Sequence, residues 1–165
     1  MDFNKLTVKS QEAVGAAQEL ARRRGNPEVY PEHLTLALLD QDLPQTLVER
    51  AGSSPVDVRQ SAEAALAAKP AVQGGAQQPR ASTALSRALD QADEERRKLE
   101  DDYVSTEHLL LALGVVPRDR LLEALGKVRG AQRVTSQDPE GSYQALEKFG
   151  RDLTELAEQG KLDPV

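Results

Sequence analysis

Slid against itself by 75 positions, the distance from Glu32 to Glu107, this 165-residue chain matches its own sequence. Glu32-His33-Leu34 falls on Glu107-His108-Leu109, and Leu36-Ala37-Leu38 falls on Leu111-Ala112-Leu113. Upstream, Val29 meets Val104, Ala17 meets Ala92, Ala13 meets Ala88 and Thr7 meets Ser82. A self-match at one fixed spacing marks a fold assembled twice from one supersecondary unit, each unit completing its core against the other. The register then jumps. Gly52-Ser53-Ser54-Pro55 and Asp57 align with Gly114-Val115-Val116-Pro117 and Asp119 at an offset of 62, so the second unit is about thirteen residues shorter. The part it lacks corresponds to Pro44–Ala51 of the first.

Inside each unit the period is helical. Ala, Leu, Glu, Gln, Arg and Lys dominate and aromatic residues make up 3%, a composition that favours helix over strand. Thr7 is placed to cap a first helix that Gly25, Asn26 and Pro27 end. Pro31 opens a second helix to Asp40, Pro44 a short third to Gly52, and Pro55 a fourth to about Ala68, each proline suiting a first helical turn. Lys69–Arg80 mixes Pro, Gly and Gln without an apolar period and reads as a linker. Ser82 caps the restart. Leu34–Leu39 and Leu109–Leu113 are apolar almost all round, as expected of helices enclosed by neighbours. Val14, Ala17 and Ala21, and Leu85, Ala88, Leu89 and Ala92, form one-sided stripes that pack on those central helices. Thr135–Gly141 reads as a polar, turn-rich link. It leads to a last amphipathic helix over Ser142–Gln159, with Tyr143, Leu146, Phe149, Leu153 and Leu156 at helical spacing. The expected fold is therefore all-α: two pseudo-symmetric helical repeats over 1–68 and 82–134, joined by a linker at 69–81, the second shortened, with a linker helix over 135–165.

Charge and composition narrow the function. A net charge of −6 and few aromatic residues argue against nucleic acid as a partner. The absence of cysteine removes disulfides, thiolate metal sites and thiol nucleophiles, and fits a reducing cytoplasm. Met1–Gln11 has no basic flank followed by an apolar stretch, and no apolar run reaches the length of a membrane span. No G-x-x-x-x-G-K-[ST] phosphate loop occurs: neither Gly126-Lys127-Val128 nor Gly160-Lys161-Leu162 carries Ser or Thr after Lys. This chain is thus expected to be a binding domain and not itself an enzyme.

The paired EHL helices, the run YVSTEHLLLAL at Tyr103–Leu113, the run KVRGAQRVTSQDPE at Lys127–Glu140 and the tail ALEKFGRDLTELAEQGKLDPV at Ala145–Val165 together resemble the amino-terminal domains of ClpB-type AAA+ protein disaggregases. The resemblance covers essentially the whole chain. It implies a mobile domain on a homohexameric unfoldase that engages unfolded or aggregated polypeptide and works with the DnaK chaperone system. The isolated domain is expected to be a monomer. ATP and Mg2+ would belong to ATPase modules outside this chain, which takes no cofactor of its own. The missing third helix of the second unit departs from the family pattern. Two other readings stay open. One is the adaptor-docking domain of a ClpC- or ClpA-type protease partner, and the other is a free-standing interaction protein. A phosphate loop encoded within about fifty residues after Val165 would decide for a domain, a stop codon for an adaptor.

For the binding surface the resemblance points to Thr7, Asp101 and Glu107, near the start of the first helix and the loop before the second central helix. The rival reading of Thr7 and Glu107 is that they only cap helices. Exposed apolar surface is also required to hold unfolded chains. Tyr30, Tyr103, Val104 and Leu110 flank the central helix starts and are the candidates, with a groove beside Leu110 and Tyr103 where the second unit lacks its covering helix. His33 and His108 each follow a glutamate, but without H-E-x-x-H spacing or a third ligand they read as partners for buried polar atoms. Asp101, Asp102 and Glu107 lack the surroundings of an acid–base pair and read as helix-start carboxylates. Arg22-Arg23-Arg24 and Arg96-Arg97-Lys98 read as solvated helix ends.

Overall fold

Hydroxyl caps start the helices where the sequence places them. In the computed structural model, which describes residues 2–74 and 78–143, Thr7 Oγ1 accepts from Ser10 N at 3.2 Å and opens α1 (Val8–Arg23). Its counterpart Ser82 accepts from Leu85 N at 3.0 Å and opens α5 (Thr83–Lys98). A 3-10 turn, Phe3–Lys5, precedes α1. Pro31 and Pro55 stand at the first positions of α2 (Pro31–Leu39) and α4 (Pro55–Ala67). Pro44, however, sits in the first turn of α3 (Asp42–Arg50), which begins two residues earlier than expected. Proline is tolerated there because no amide of the first turn has a partner inside the helix. The second unit passes from α6 (Thr106–Leu113) through Gly114–Pro117 directly into α7 (Arg118–Arg129). It has no equivalent of α3.

The fold is all-α. Its two central helices, α2 and α6, are enclosed as their composition demands: His33–Leu39 and Thr106–Leu111 are buried without a break. What joins the units is an exchange that helical periodicity does not show. Val29 precedes α2 and pairs with Ala81, which precedes α5, in a two-residue parallel ribbon of β1 (Glu28–Val29) and β2 (Arg80–Ala81). Leu6, ahead of α1, pairs in the same way with Val104, ahead of α6. Thr7 N donates to Val104 O at 2.9 Å and Ser82 N to Val29 O at 3.0 Å. Each unit's first helix is thus tied at its start to the other unit's central helix, which satisfies amides that a helix start leaves free.

Several expectations need correction. The second central helix is not left open by the missing helix, because α3 of the first unit packs against both α6 and α7. Val116 is buried and Val115 half-buried beside it. Leu110 is consequently 0% exposed and presents no surface to a groove. Val104 is as deeply buried, because its backbone carries the exchange pairing and its side chain faces the core. Nor is the segment after α7 a free link. It turns at Gly130, which has a φ of +62°, and returns across the helix starts: Asp102 N donates to Val134 O and Val8 N to Gln137 O, each at 2.8 Å. Val134, Glu140 and Tyr143 are buried. The start of the linker is likewise held down, by Val72 N to Gly25 O at 2.8 Å and Asn26 Nδ2 to Pro70 O at 2.9 Å. Gly25 is required there because a Cβ would collide with the Val72 carbonyl. Residues 140–143 are helical; the rest of the expected terminal helix, with Leu146, Phe149, Leu153 and Leu156, lies outside the described residues.

Candidate functional site

Thr7, distant in sequence from Asp101 and Glu107, is brought to them around the returning segment. The Thr7 hydroxyl donates to Glu140 Oε1 at 2.6 Å, and Thr106 N donates to the same oxygen at 3.3 Å. One carboxyl therefore bridges the starts of α1 and α6. Asp101 Oδ1 accepts from Val134 N at 2.9 Å and from the Arg129 guanidinium. Its Oδ2 accepts from His108 Nε2 at 2.7 Å. Arg129 Nη1 lies 3.8 Å from Glu107 Oε2 and completes the cluster.

Burial governs the electrostatics here. It is the main force that pushes Glu107 up to about 8, seconded by the charge of Glu140 and only partly opposed by Arg129. Glu140 is raised, again chiefly by burial. For Asp101 burial works in the same direction but loses: the His108 N–H, the Val134 amide and Arg129 together hold the carboxyl below its usual range. His108 and His33 are both lowered by burial, His33 to about 4. Each ring accepts at Nδ1 from the backbone N–H three residues earlier, Tyr30 or Ser105, at 2.8 Å. That bond leaves the proton on Nε2 for Asn26 or Asp101.

Where the candidates stand is now plain. Thr7, Asp101, Val104, Glu107 and Leu110 are buried. Tyr30 is at the edge of the core under the Lys69 ammonium, 4.7 Å from its ring centroid, and Tyr103 is half-buried. Thr7 does cap α1, whereas Glu107 caps nothing, both its oxygens lacking hydrogen-bond partners. Both histidines satisfy buried groups, and among the described residues no cluster of His, Cys, Asp or Glu could hold a metal. Asp102 is exposed. The arginine runs are paired helix ends, Arg22 with Glu19 and Arg96 with Asp93.

The accessible apolar surface lies elsewhere. A groove of about 240 Å3 runs between α1 and α5, walled by Phe3, Leu6, Val14, Ser86, Leu89 and Asp90. Phe3 is 50% exposed at its end, and Val8 nearby is 44% exposed. Val14 and Leu89 hold equivalent repeat positions, so the groove lies where the two units face each other. Phe3 breaks that symmetry, its counterpart being Gln78. Val14 and Leu89 look in the sequence like ordinary core positions. The available signal was Phe3, an aromatic residue just outside the first helix cap.

The family profile of the Clp repeat (R) N-terminal domain matches residues 5–128. The chain belongs to this family. Among curated relatives it is 41% identical over 183 residues to the chaperone protein ClpB of Bacillus cereus, and 40% identical over 180 residues to that of Mycobacterium tuberculosis. Both alignments take in 100% of this chain and 21% of the relative, so the chain spans about a fifth of their length and corresponds to a ClpB-type amino-terminal domain. Of solved structures, the Hsp104 N-terminal domain from Candida albicans superimposes with a TM-score of 0.72 at 24% identity, covering 82% of this chain and 99% of that one. A ClpV N-domain in complex with a VipB peptide has a TM-score of 0.57 at 23% identity, covering 79% and 81%. These two likenesses concern the fold. Among the described residues no helix is long and apolar enough to cross a membrane.

Proposed function

We propose that this chain is the substrate-engaging amino-terminal domain of an ATP-dependent protein disaggregase, and that it holds unfolded or aggregated polypeptide weakly in the groove between α1 and α5. The observation that carries this is the half-exposed Phe3 over an apolar channel lined by Leu6, Val14 and Leu89. An aromatic side chain left in water beside such a channel costs burial energy of about 2 kcal/mol that a bound apolar side chain restores. The ClpV N-domain, of the same fold, is described with a peptide bound. Low specificity follows from the chemistry, since unrelated unfolded segments share apolar side chains. Avidity from several copies on a homohexameric ring compensates for weak single contacts. Thr7, Asp101 and Glu107 act in this reading by fixing the helix starts beside the groove. Cytoplasmic location and cooperation with a DnaK-type system belong to the same proposal for the longer protein.

The test is a titration of the 15N-labelled chain with a permanently unfolded model protein and with its folded form. Phe3→Ser and Leu89→Ser should weaken the unfolded partner's binding by about tenfold or more, with circular dichroism unchanged. Equal affinity for the folded form, or no loss in either variant, would sink the proposal. Docking of a single defined adaptor peptide is the competing reading, supported by the same ClpV complex; it requires one sequence to bind far more tightly than its scrambled version. The chain by itself is expected to give no saturable ATP binding in calorimetry.

A further inference from the structure

The segment that returns from α7, residues 131–143, grips the stretch of chain that walls the α1–α5 groove. Gln137 holds both flanks of that stretch: its carbonyl accepts from Val8 N at 2.8 Å, and its side-chain Nε2 donates to Asn4 O at 3.2 Å. Between them Glu140 Oε1 accepts from the Thr7 hydroxyl at 2.6 Å. The same stretch presents Phe3 and Leu6 to the groove, which no residue of the returning segment lines. Gln11 of α1 holds it separately, its Nε2 donating to Phe3 O at 3.4 Å and to Leu6 O at 3.0 Å. Residues 3–8 are therefore shared between the groove and the returning segment.

The grip is weak for its length. Apart from Val134, Pro139, Glu140 and Tyr143, residues 131–143 are exposed. Where they meet the rest of the domain, six buried side-chain atoms have no hydrogen-bond partner among the described residues: Thr106 Oγ1, both carboxyl oxygens of Glu107, Arg129 Nη1, Glu140 Oε2 and the Tyr143 hydroxyl. Lifting the segment hydrates these atoms, which offsets much of the apolar burial lost with Val134 and Tyr143. Gly130, at φ +62° and ψ −135°, holds a conformation that favours glycine and stands where the chain turns back from α7. We propose that residues 131–143 are a detachable strap, hinged at Gly130, and that its docking is coupled through Gln137 and Glu140 to the order of the groove wall at residues 3–8. With the strap docked the wall is fixed and the chain leaves the domain beside the starts of α1 and α6. With it released the wall loosens, and the point of exit moves outward by up to about 40 Å. By linkage, a polypeptide that binds the fixed wall also holds the strap down. Only this last consequence rests on the role proposed for the groove.

Hydrogen exchange in the 15N-labelled chain reads the strap directly. The amides of Val8, Asp102, Thr106 and Val134 donate across its contact, to Gln137 O, Val134 O, Glu140 Oε1 and Asp101 Oδ1. These four should share one protection factor within about threefold, at least about 100-fold below that of Leu38 in α2. Glu140→Ala should lower protection at Val8, Asp102 and Val134 about tenfold, lower the backbone order parameters of residues 4–6 and leave Leu38 unchanged. Gln11→Ala, at a residue with no hydrogen bond to the strap, should lower protection at Asp102 and Val134 about threefold, the reciprocal half of the coupling. A saturating, permanently unfolded model protein should raise protection at the same two amides about threefold. Protection at the four amides equal to that of Leu38, or a parallel fall at Leu38 in Glu140→Ala, would overturn the strap. Unchanged order of residues 4–6 in Glu140→Ala, unchanged protection in Gln11→Ala, or no rise with the unfolded protein bound would each overturn the coupling. If the unfolded protein does not bind at all, the groove loses its proposed role, and the ligand-free measurements still decide the strap.

Discussion

The two units solve one local problem with different chemistry. In the first, Asn26 accepts from His33 Nε2 at 2.9 Å and donates to Pro70 O at 2.9 Å. In the second, the equivalent residue is Asp101, which accepts from His108 at 2.7 Å and from Val134 N at 2.9 Å. The choice follows from what lies on the far side: a carbonyl requires the amide's N–H, whereas an amide N–H requires an oxygen. A buried carboxylate then needs a counter-ion, and Arg129, itself buried, supplies it. One repeat position can therefore hold a neutral knot in one copy and a charged one in the other. What decides is the segment that crosses it, residues 69–72 in one case and 131–143 in the other.

The largest expected effect comes from removing the counter-ion. Arg129→Met should destabilise the chain by about 3–5 kcal/mol in urea unfolding, because Asp101 stays buried without its cation. A loss below about 1 kcal/mol would mean that the charged knot is no more demanding than the neutral one. Leu110→Ser and Leu36→Ser should be about equally severe, each costing roughly 3–5 kcal/mol, since 0% and 2% of these residues are exposed. Preferential tolerance of Leu110→Ser would reinstate an open second unit.

Exchanging the knots comes next. Asn26→Asp sets a carboxylate against the Pro70 carbonyl, and Asp101→Asn sets an amide N–H against a donor. Each should cost about 1–3 kcal/mol, and Asp101→Asn should not be restored to parental stability by adding Arg129→Met, since Val134 N or His108 then lacks an acceptor. Full recovery in the double variant would show that only charge distinguishes the knots.

Glu107 and His33 should also answer pH in opposite directions. Glu107 is raised from its ordinary value to about 8, so its contribution is complete in acid and is lost as pH rises from about 4.5 toward 8. His33 is lowered to about 4, so its contribution is complete above about 6.5 and is lost as pH falls toward 4. Glu107→Gln should flatten the alkaline side of a stability profile in part, Glu140 being raised too, and leave the acid side, which His33→Gln should flatten in part, His108 and Asp101 being lowered as well. Smallest of all are the caps. Ser82→Ala should cost about 1 kcal/mol, and Thr7→Ala somewhat more because its hydroxyl also holds Glu140. Equal losses would mean that the Thr7–Glu140 bond adds nothing.

Much of this was legible in the chain itself. The offset from Glu32 to Glu107 gave the repeat, the jump at Gly114 gave the missing helix, Thr7 and Ser82 gave two helix starts, and unbroken apolar runs gave the central helices. Local rules govern all of these, because capping, turn chemistry and helical period act within a few residues. The site was less legible. The family resemblance singled out Thr7, Asp101 and Glu107 together, but not that a carboxyl from residue 140 and a guanidinium from residue 129 would pack against them. Val14 and Leu89 carried no mark that separated an accessible groove from ordinary core, and only Phe3, an aromatic residue outside the first cap, signalled it.

What only the tertiary structure decided is which surfaces meet. The sequence by itself determined an all-helical chain of two unequal units, with the helix starts other than that of α3 marked by a hydroxyl or a proline. It could not assign α3 to a place where it covers the shortened unit as well as its own, nor exchange Leu6 and Ala81 between units. Nor could it send the 131–143 segment back over the caps of α1 and α6. The physical reason is that apolar burial is non-directional and indifferent to which leucine supplies the contact. A stripe at helical spacing states that a face will be buried and says nothing about its partner. Only when the helices are placed does Leu110 become core and Phe3 remain half in water.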